Sequence, residues 1–119
     1  MGDRVLIQCF SSKTGEVGPV IYGHWSGYDS ADAVRRLAER MKRRQGDVAY
    51  SSARMVQELI GADDKDCHGF GIWNKDKKLT KEDSHGDAGI ILIDVDNEHR
   101  CECLGGYLTI GDDGLPNRK

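Results

Sequence analysis

The chain has 119 residues, a net charge of −3, and 38% hydrophobic against 31% charged residues. That length suits one globular domain with a core of its own. No segment approaches the run of about twenty apolar residues that crosses a bilayer, so no membrane span is expected. Fifteen glycines and two prolines point to short strands joined by tight turns. Met1-Gly2-Asp3-Arg4 leads straight into a strand pattern without a signal-peptide layout, so a cytosolic protein is expected. Cys9, Cys67, Cys101 and Cys103 are then expected as thiols rather than disulfides.

Arg4 to Phe10 reads as a strand around Val5-Leu6-Ile7. Ser11 to Gly18 is a polar hairpin loop, and Pro19 to Trp25 returns, with Pro19 at the strand start where a missing N–H costs least. A first helix is expected from Asp29-Ser30 to Gly46. Val34, Leu37, Ala38 and Met41 fall at i, i+3, i+4 and i+7 on one stripe. Arg35, Arg36, Arg40, Lys42, Arg43 and Arg44 occupy the remaining arc. These are six of the chain's seventeen basic residues, accompanied by one acid, Glu39; the remainder holds eleven basic and nineteen of the twenty acidic residues. One cationic helix surface on an acidic body is the consequence.

A second helix is expected from Asp47, as cap, to Ile60, with Gly61 ending it. Ala49, Ala53, Val56 and Ile60 form its stripe, widened by Met55 and Leu59. Asp63 to Asp66 reads as a solvated linker, and Phe70-Gly71-Ile72-Trp73 as a short strand. Asn74 to Asp87 is a polar loop of fourteen residues, longer than most connections and therefore either functional or mobile.

Ala88 to Val95 is the longest strongly apolar run. Alternation places Ile91, Ile93 and Val95 on one face and Ala88, Ile90 and Leu92 on the other. Both sets are apolar, which marks a central strand covered on two faces. His99 to Leu104 can return antiparallel to it, Tyr107 to Ile110 can add a last strand, and Gly111 to Lys119 reads as a frayed tail. The expected fold is α+β: an antiparallel sheet of about five or six strands with two amphipathic helices packed on one face. Helices lying side by side leave the other face open, so a second subunit is expected there, giving a homodimer.

Four groups of residues invite a functional reading. Tyr22-Gly23-His24-Trp25-Ser26-Gly27-Tyr28 gathers aromatic, imidazole and glycine residues just before a helix start. Such a start offers unpaired N–H groups to an anion, and His24, Trp25 and Tyr28 suit a pocket wall. The same aromatics would serve equally to pack under the first helix. The strand hairpin, the Tyr-x-His-Trp-x-Gly motif and the following helix together resemble small uncharacterised proteins of phages and prophages. That resemblance implies an accessory protein of mobile genetic elements and carries over no catalytic residue.

The second group is Cys67-His68 with Cys101-x-Cys103, four zinc ligands if a sheet brings them together, although the usual paired spacing is absent. The third is His85 with Asp94, Asp96 and Glu98, suited to acid–base work or to a divalent cation. The spacing lacks the glycine of a calcium loop, and a polar hairpin turn explains it without an ion. The fourth is the basic helix, where Arg36, Arg40 and Arg43 suit phosphates or an acidic protein surface. No nucleophile elbow, phosphate loop or dinucleotide fingerprint is present.

The expected function is therefore binding without catalysis. The chain would meet a protein partner or anionic ligand through His24, Trp25, Tyr28, Arg36, Arg40 and Arg43, with nucleic acid less favoured and no cofactor assigned. The alternative is a small metal- or histidine-dependent enzyme using His24, His85 and strand-end carboxylates.

Overall fold

The computed structural model describes residues 2–61 and 69–117. In chain order they form β1 (Val5–Phe10), β2 (Val17–Gly23), α1 (Gly27–Arg40), α2 (Val48–Gly61), β3 (Phe70–Trp73), a 3-10 turn (Lys81–Asp83), β4 (Gly89–Asp94) and β5 (Arg100–Leu104). The strands make one five-stranded sheet in the order β3-β2-β1-β4-β5. The fold is α+β, as the periodicities predict.

Three neighbouring pairs are antiparallel, but β1 and β4 run parallel, in register from Val5 opposite Gly89 to Phe10 opposite Asp94. Parallel neighbours need a long crossover, and everything from β2 to the end of the polar loop supplies it. The geometric middle of the sheet is β1, with the isoleucine-rich β4 beside it. Both strands are buried on two faces. Gly89 enters β4 at a φ of +89°, where an added Cβ would strike the Leu104 carbonyl. Glycine lets β5 run that close.

One face carries the larger core. Val5, Ile7, Ile21, Ile91, Ile93 and Val95 meet Val34, Leu37 and Met41 of the α1 segment and Val48, Met55 and Leu59 of α2. Helix α1 starts at Gly27, two residues before the expected cap, and closes at Met41 rather than Gly46. Gly46 instead donates its N–H to the Val95 carbonyl at 2.7 Å, tying the interhelix turn to the sheet. Asp47 does cap α2, accepting the Tyr50 N–H at 2.9 Å.

The buried stripe of α2 is rotated from the expected one. Val48, Ser51, Ser52, Met55, Glu58 and Leu59 face inward, whereas Ala49, Ala53 and Ile60 are exposed. Small serines permit close approach: a Cβ on Gly18 of β2 would meet Ser52 Oγ and Val48. Apolar counting does not see such positions.

The second face is smaller. Leu6, Val20, Ile90 and Leu92 are buried there together with Leu79, and Phe10, Tyr22 and Leu104 flank them. Leu79 comes from the long polar loop. The loop therefore acts as a cover, and the open face on which the homodimer expectation rested is absent. Gln8 on β1 fixes the cover in place. Its Nε2 donates to the Gly18 and Lys77 carbonyls, both at 3.1 Å, and its Oε1 accepts the Leu79 N–H at 2.8 Å. Gly18 is offered by an irregularity in the β1–β2 pairing next to Pro19, which thus lies inside the strand and not at its start.

Tyr107–Ile110 forms an isolated bridge, Ile110 with Pro116, rather than a sixth strand. Asp113 to Pro116 is fastened where a frayed tail was expected: Arg35 donates to the Pro116 carbonyl at 2.8 Å and to Asp113 at 2.7 Å. Among the described residues no helix is long and apolar enough to cross a membrane.

Candidate functional site

The Tyr22–Tyr28 corner forms where β2 ends beside the edge strand β3. Tyr22 Oη and His24 Nδ1 lie 2.6 Å apart in a hydrogen bond. The His24 ring stands edge-on to Trp25 at 4.9 Å, and Tyr22 meets Trp73 at 6.3 Å and His85 at 5.7 Å. The rings form a connected band from Trp25 through His24 and Tyr22 to Trp73. Its ends are open to solvent: Trp25 is 49% exposed and Trp73 43%. Tyr28 and, on the other side of β3, Ile72 are each 58% exposed. Trp25 and Tyr28 are thus surface groups, not packing beneath α1.

The helix start beside this corner is already filled. Asp3 accepts the Tyr28 N–H on Oδ2 at 2.6 Å and the Gly27 N–H on its carbonyl at 2.7 Å. An aspartate at the positive end of α1 stabilises the helix as an external anion would. The Gly27 and Tyr28 N–H groups, expected to be open to an anion, are both taken by Asp3. Asp3 Oδ1 also accepts the Tyr107 hydroxyl at 2.6 Å. Burial first, then that bond and neighbouring carboxylates, hold the phenol above its ordinary range.

The histidine–carboxylate group does not assemble. His85 lies against Tyr22, while Asp87 is occupied by Arg4 through its N–H at 3.1 Å and its Nε at 3.0 Å. Those bonds lower the Asp87 pKa, the backbone bond most. Asp94 accepts the Ser12 and Asp96 N–H groups, and Asp96 accepts the Ser11 hydroxyl and the Lys13 N–H. These carboxylates bind the β1–β2 hairpin to the end of β4. Glu98 and His99 take positive φ, of 55° and 58°, in the β4–β5 turn. The polar-turn reading of Asp96 to Glu98 is the one the geometry supports.

Cys101 and Cys103 pack against the helix-side core, where Cys9 is also buried, and all three are free thiols. Burial pushes Cys9 and Cys103 up to about 12 and Cys101 well above its usual value, so the reactive thiolate is disfavoured at each. Cys67 and His68 lie outside the described residues. Among the described residues no three metal-ligating side chains gather.

The basic helix resolves into separate pairs and one cluster. Arg35 is spent on Asp113, Arg44 on Asp47 at 3.3 Å and on the Tyr50 ring, and Lys42 is 4.0 Å from Glu39. Arg43 is exposed and makes no ion pair among the described residues. Arg36 and Arg40 turn toward α2, where both contact Glu58, at 2.9 and 2.8 Å. Arg54 of α2 reaches the same carboxylate at 3.5 Å. The Glu58 side chain is 8% exposed. A surface cleft of about 370 Å³ opens over the group, lined by Arg36, Arg40, Arg54, Gln57, Glu58 and Gly61.

Sequence reasoning missed Arg54 and Glu58. Their signal was an i,i+4 ion pair whose acid lies beside Leu59, inside the apolar arc of α2. No protein-family model, curated protein or solved structure matches the chain.

Proposed function

We propose that the chain is a cytoplasmic, non-enzymatic accessory protein that docks a protein partner through the aromatic corner, with the Arg36–Arg40 side of α1 attracting acidic groups. The observation that carries this reading is the exposed set Trp25, Ile72 and Trp73 on and beside the edge strand β3. Large aromatic side chains left in water beside an edge strand favour association, because a partner removes apolar area and can pair with the strand. The accessory class is the one the Tyr22–Gly27 resemblance implies. The catalytic alternative requires His24 or His85 within hydrogen-bond reach of a carboxylate or thiol. Among the described residues His24 bonds Tyr22, and neither imidazole bonds such a group.

Photo-crosslinking amino acids at Trp25 and Trp73 test the reading in cells of the source organism, with exposed Tyr50 as the control position. The expected result is one shared protein captured at both corner positions, absent at Tyr50 and lost on Ile72→Lys. Identical capture patterns at all three positions would remove the corner as a docking surface.

A further inference from the structure

We infer that the cleft between α1 and α2 is a subsite for a doubly charged phosphoryl group, as in inorganic phosphate or a phosphate monoester. It refines the basic-helix half of the proposed function and does not require the aromatic corner. Three guanidinium groups surround one buried carboxylate, where a single bidentate arginine would neutralise it. Among the described residues the surplus is two positive charges, matching an anion that carries between about −1.5 and −2 at neutral pH.

Among the described residues the bonding also leaves donors without partners. Each arginine approaches Glu58 through Nε. Arg36 Nη2 is used by the Glu58 backbone carbonyl at 3.1 Å, and Arg54 Nη1 by Gln57 at 2.7 Å. Arg36 Nη1, both Arg40 amino groups and Arg54 Nη2 have no hydrogen-bond partner among the described residues. Glu58 holds these side chains in one arrangement, so less rotamer freedom is lost when an anion arrives.

The surroundings select a compact anion over a polymer. A nucleic-acid backbone is met by a row of cations. Here Arg35, Lys42 and Arg44 each lie beside an acid, which leaves, among the described residues, the cleft cluster and a lone exposed Arg43 rather than a row. A phosphodiester is also singly charged and fits a doubly positive cleft less well.

The test uses the full ¹⁵N-labelled chain and follows the arginine Nε–Hε resonances at pH 7.5 while inorganic phosphate, phenyl phosphate, dimethyl phosphate or a short oligonucleotide is added. Phosphate and phenyl phosphate are expected to shift Arg36, Arg40 and Arg54 saturably, with dimethyl phosphate weaker by about tenfold. Tighter phenyl phosphate assigns an organic monoester; tighter inorganic phosphate assigns the free ion. Arg40→Gln should weaken binding about tenfold, while Arg43→Gln, with the same change in net charge, stays within about twofold. The backbone spectrum reports whether each variant is folded, and the monoester–diester comparison needs no variant at all. Unsaturable shifts, equal response to the diester, or equal losses in both variants overturn the assignment. Tighter oligonucleotide binding, weakened alike by both variants, reassigns the helix to nucleic acid and overturns it too.

Discussion

On one face of the sheet, α1 and α2 press Leu37, Met55 and Leu59 onto Ile7, Ile91 and Ile93. On the other, Leu79 from a polar loop covers Leu6, Val20, Ile90 and Leu92, and the buried amide of Gln8 holds that loop. The first cover is stabilised chiefly by apolar area removed from water. The second has little such area and depends on a glutamine whose three hydrogen bonds all go to loop or bulge backbone. A sheet face can thus be closed by one leucine when a fully satisfied polar group fixes where it lands.

The strongest way to break the contrast is Leu37→Ala on the helix side. Removing this fully buried side chain should lower stability by about 3–4 kcal/mol. Urea unfolding should show a lower midpoint with an unchanged slope.

Gln8→Leu addresses the loop side. It keeps the bulk but strands two carbonyls and one N–H, for a loss of about 2 kcal/mol. Hydrogen exchange should quicken at the Leu79 amide while β1 and β4 amides are slowed or quickened only with global stability. A Leu79 amide as protected as in the parent would show that the loop is held by something other than Gln8.

The smallest effect concerns His99, buried beneath α2 with Nε2 and Ser51 Oγ 2.9 Å apart and Nδ1 without a partner among the described residues. Burial lowers its pKa, opposed by Asp94. The folded chain therefore binds the proton less readily than the unfolded one. Stability contributed by the neutral ring is fully present above about pH 6.5 and is lost as pH falls from there toward the lower folded value. His99→Gln should flatten that segment of a stability–pH curve. It should leave the loss at more acidic pH, where Asp47, Asp83, Asp87, Asp96 and Asp113, all with lowered pKa values, take up protons.

Much of this was legible in the residues. Two-sided apolarity placed Ile90 to Val95 inside the sheet, and the Val34–Leu37–Met41 spacing gave α1 its buried stripe. The α2 stripe was misjudged because Ser51 is buried in a bond to His99 and Ser52 by its close approach to Gly18, while Ile60 faces water. At the candidate sites, Arg36 and Arg40 were identified as cations but not as partners of Arg54. Trp73, which completes the aromatic band, was read only as a strand residue.

Local periodicity by itself determined, for most segments but not for Tyr107–Ile110, helix or strand and which side is apolar, because those preferences act within a turn or two of chain. Only the tertiary structure decided the parallel pairing of β1 with β4, the descent of Leu79 onto an open face, and the convergence of Arg36, Arg40 and Arg54 on Glu58. Each joins residues far apart in the chain, and such contacts form only once the gain over the whole core exceeds the entropy of closing the loops between them.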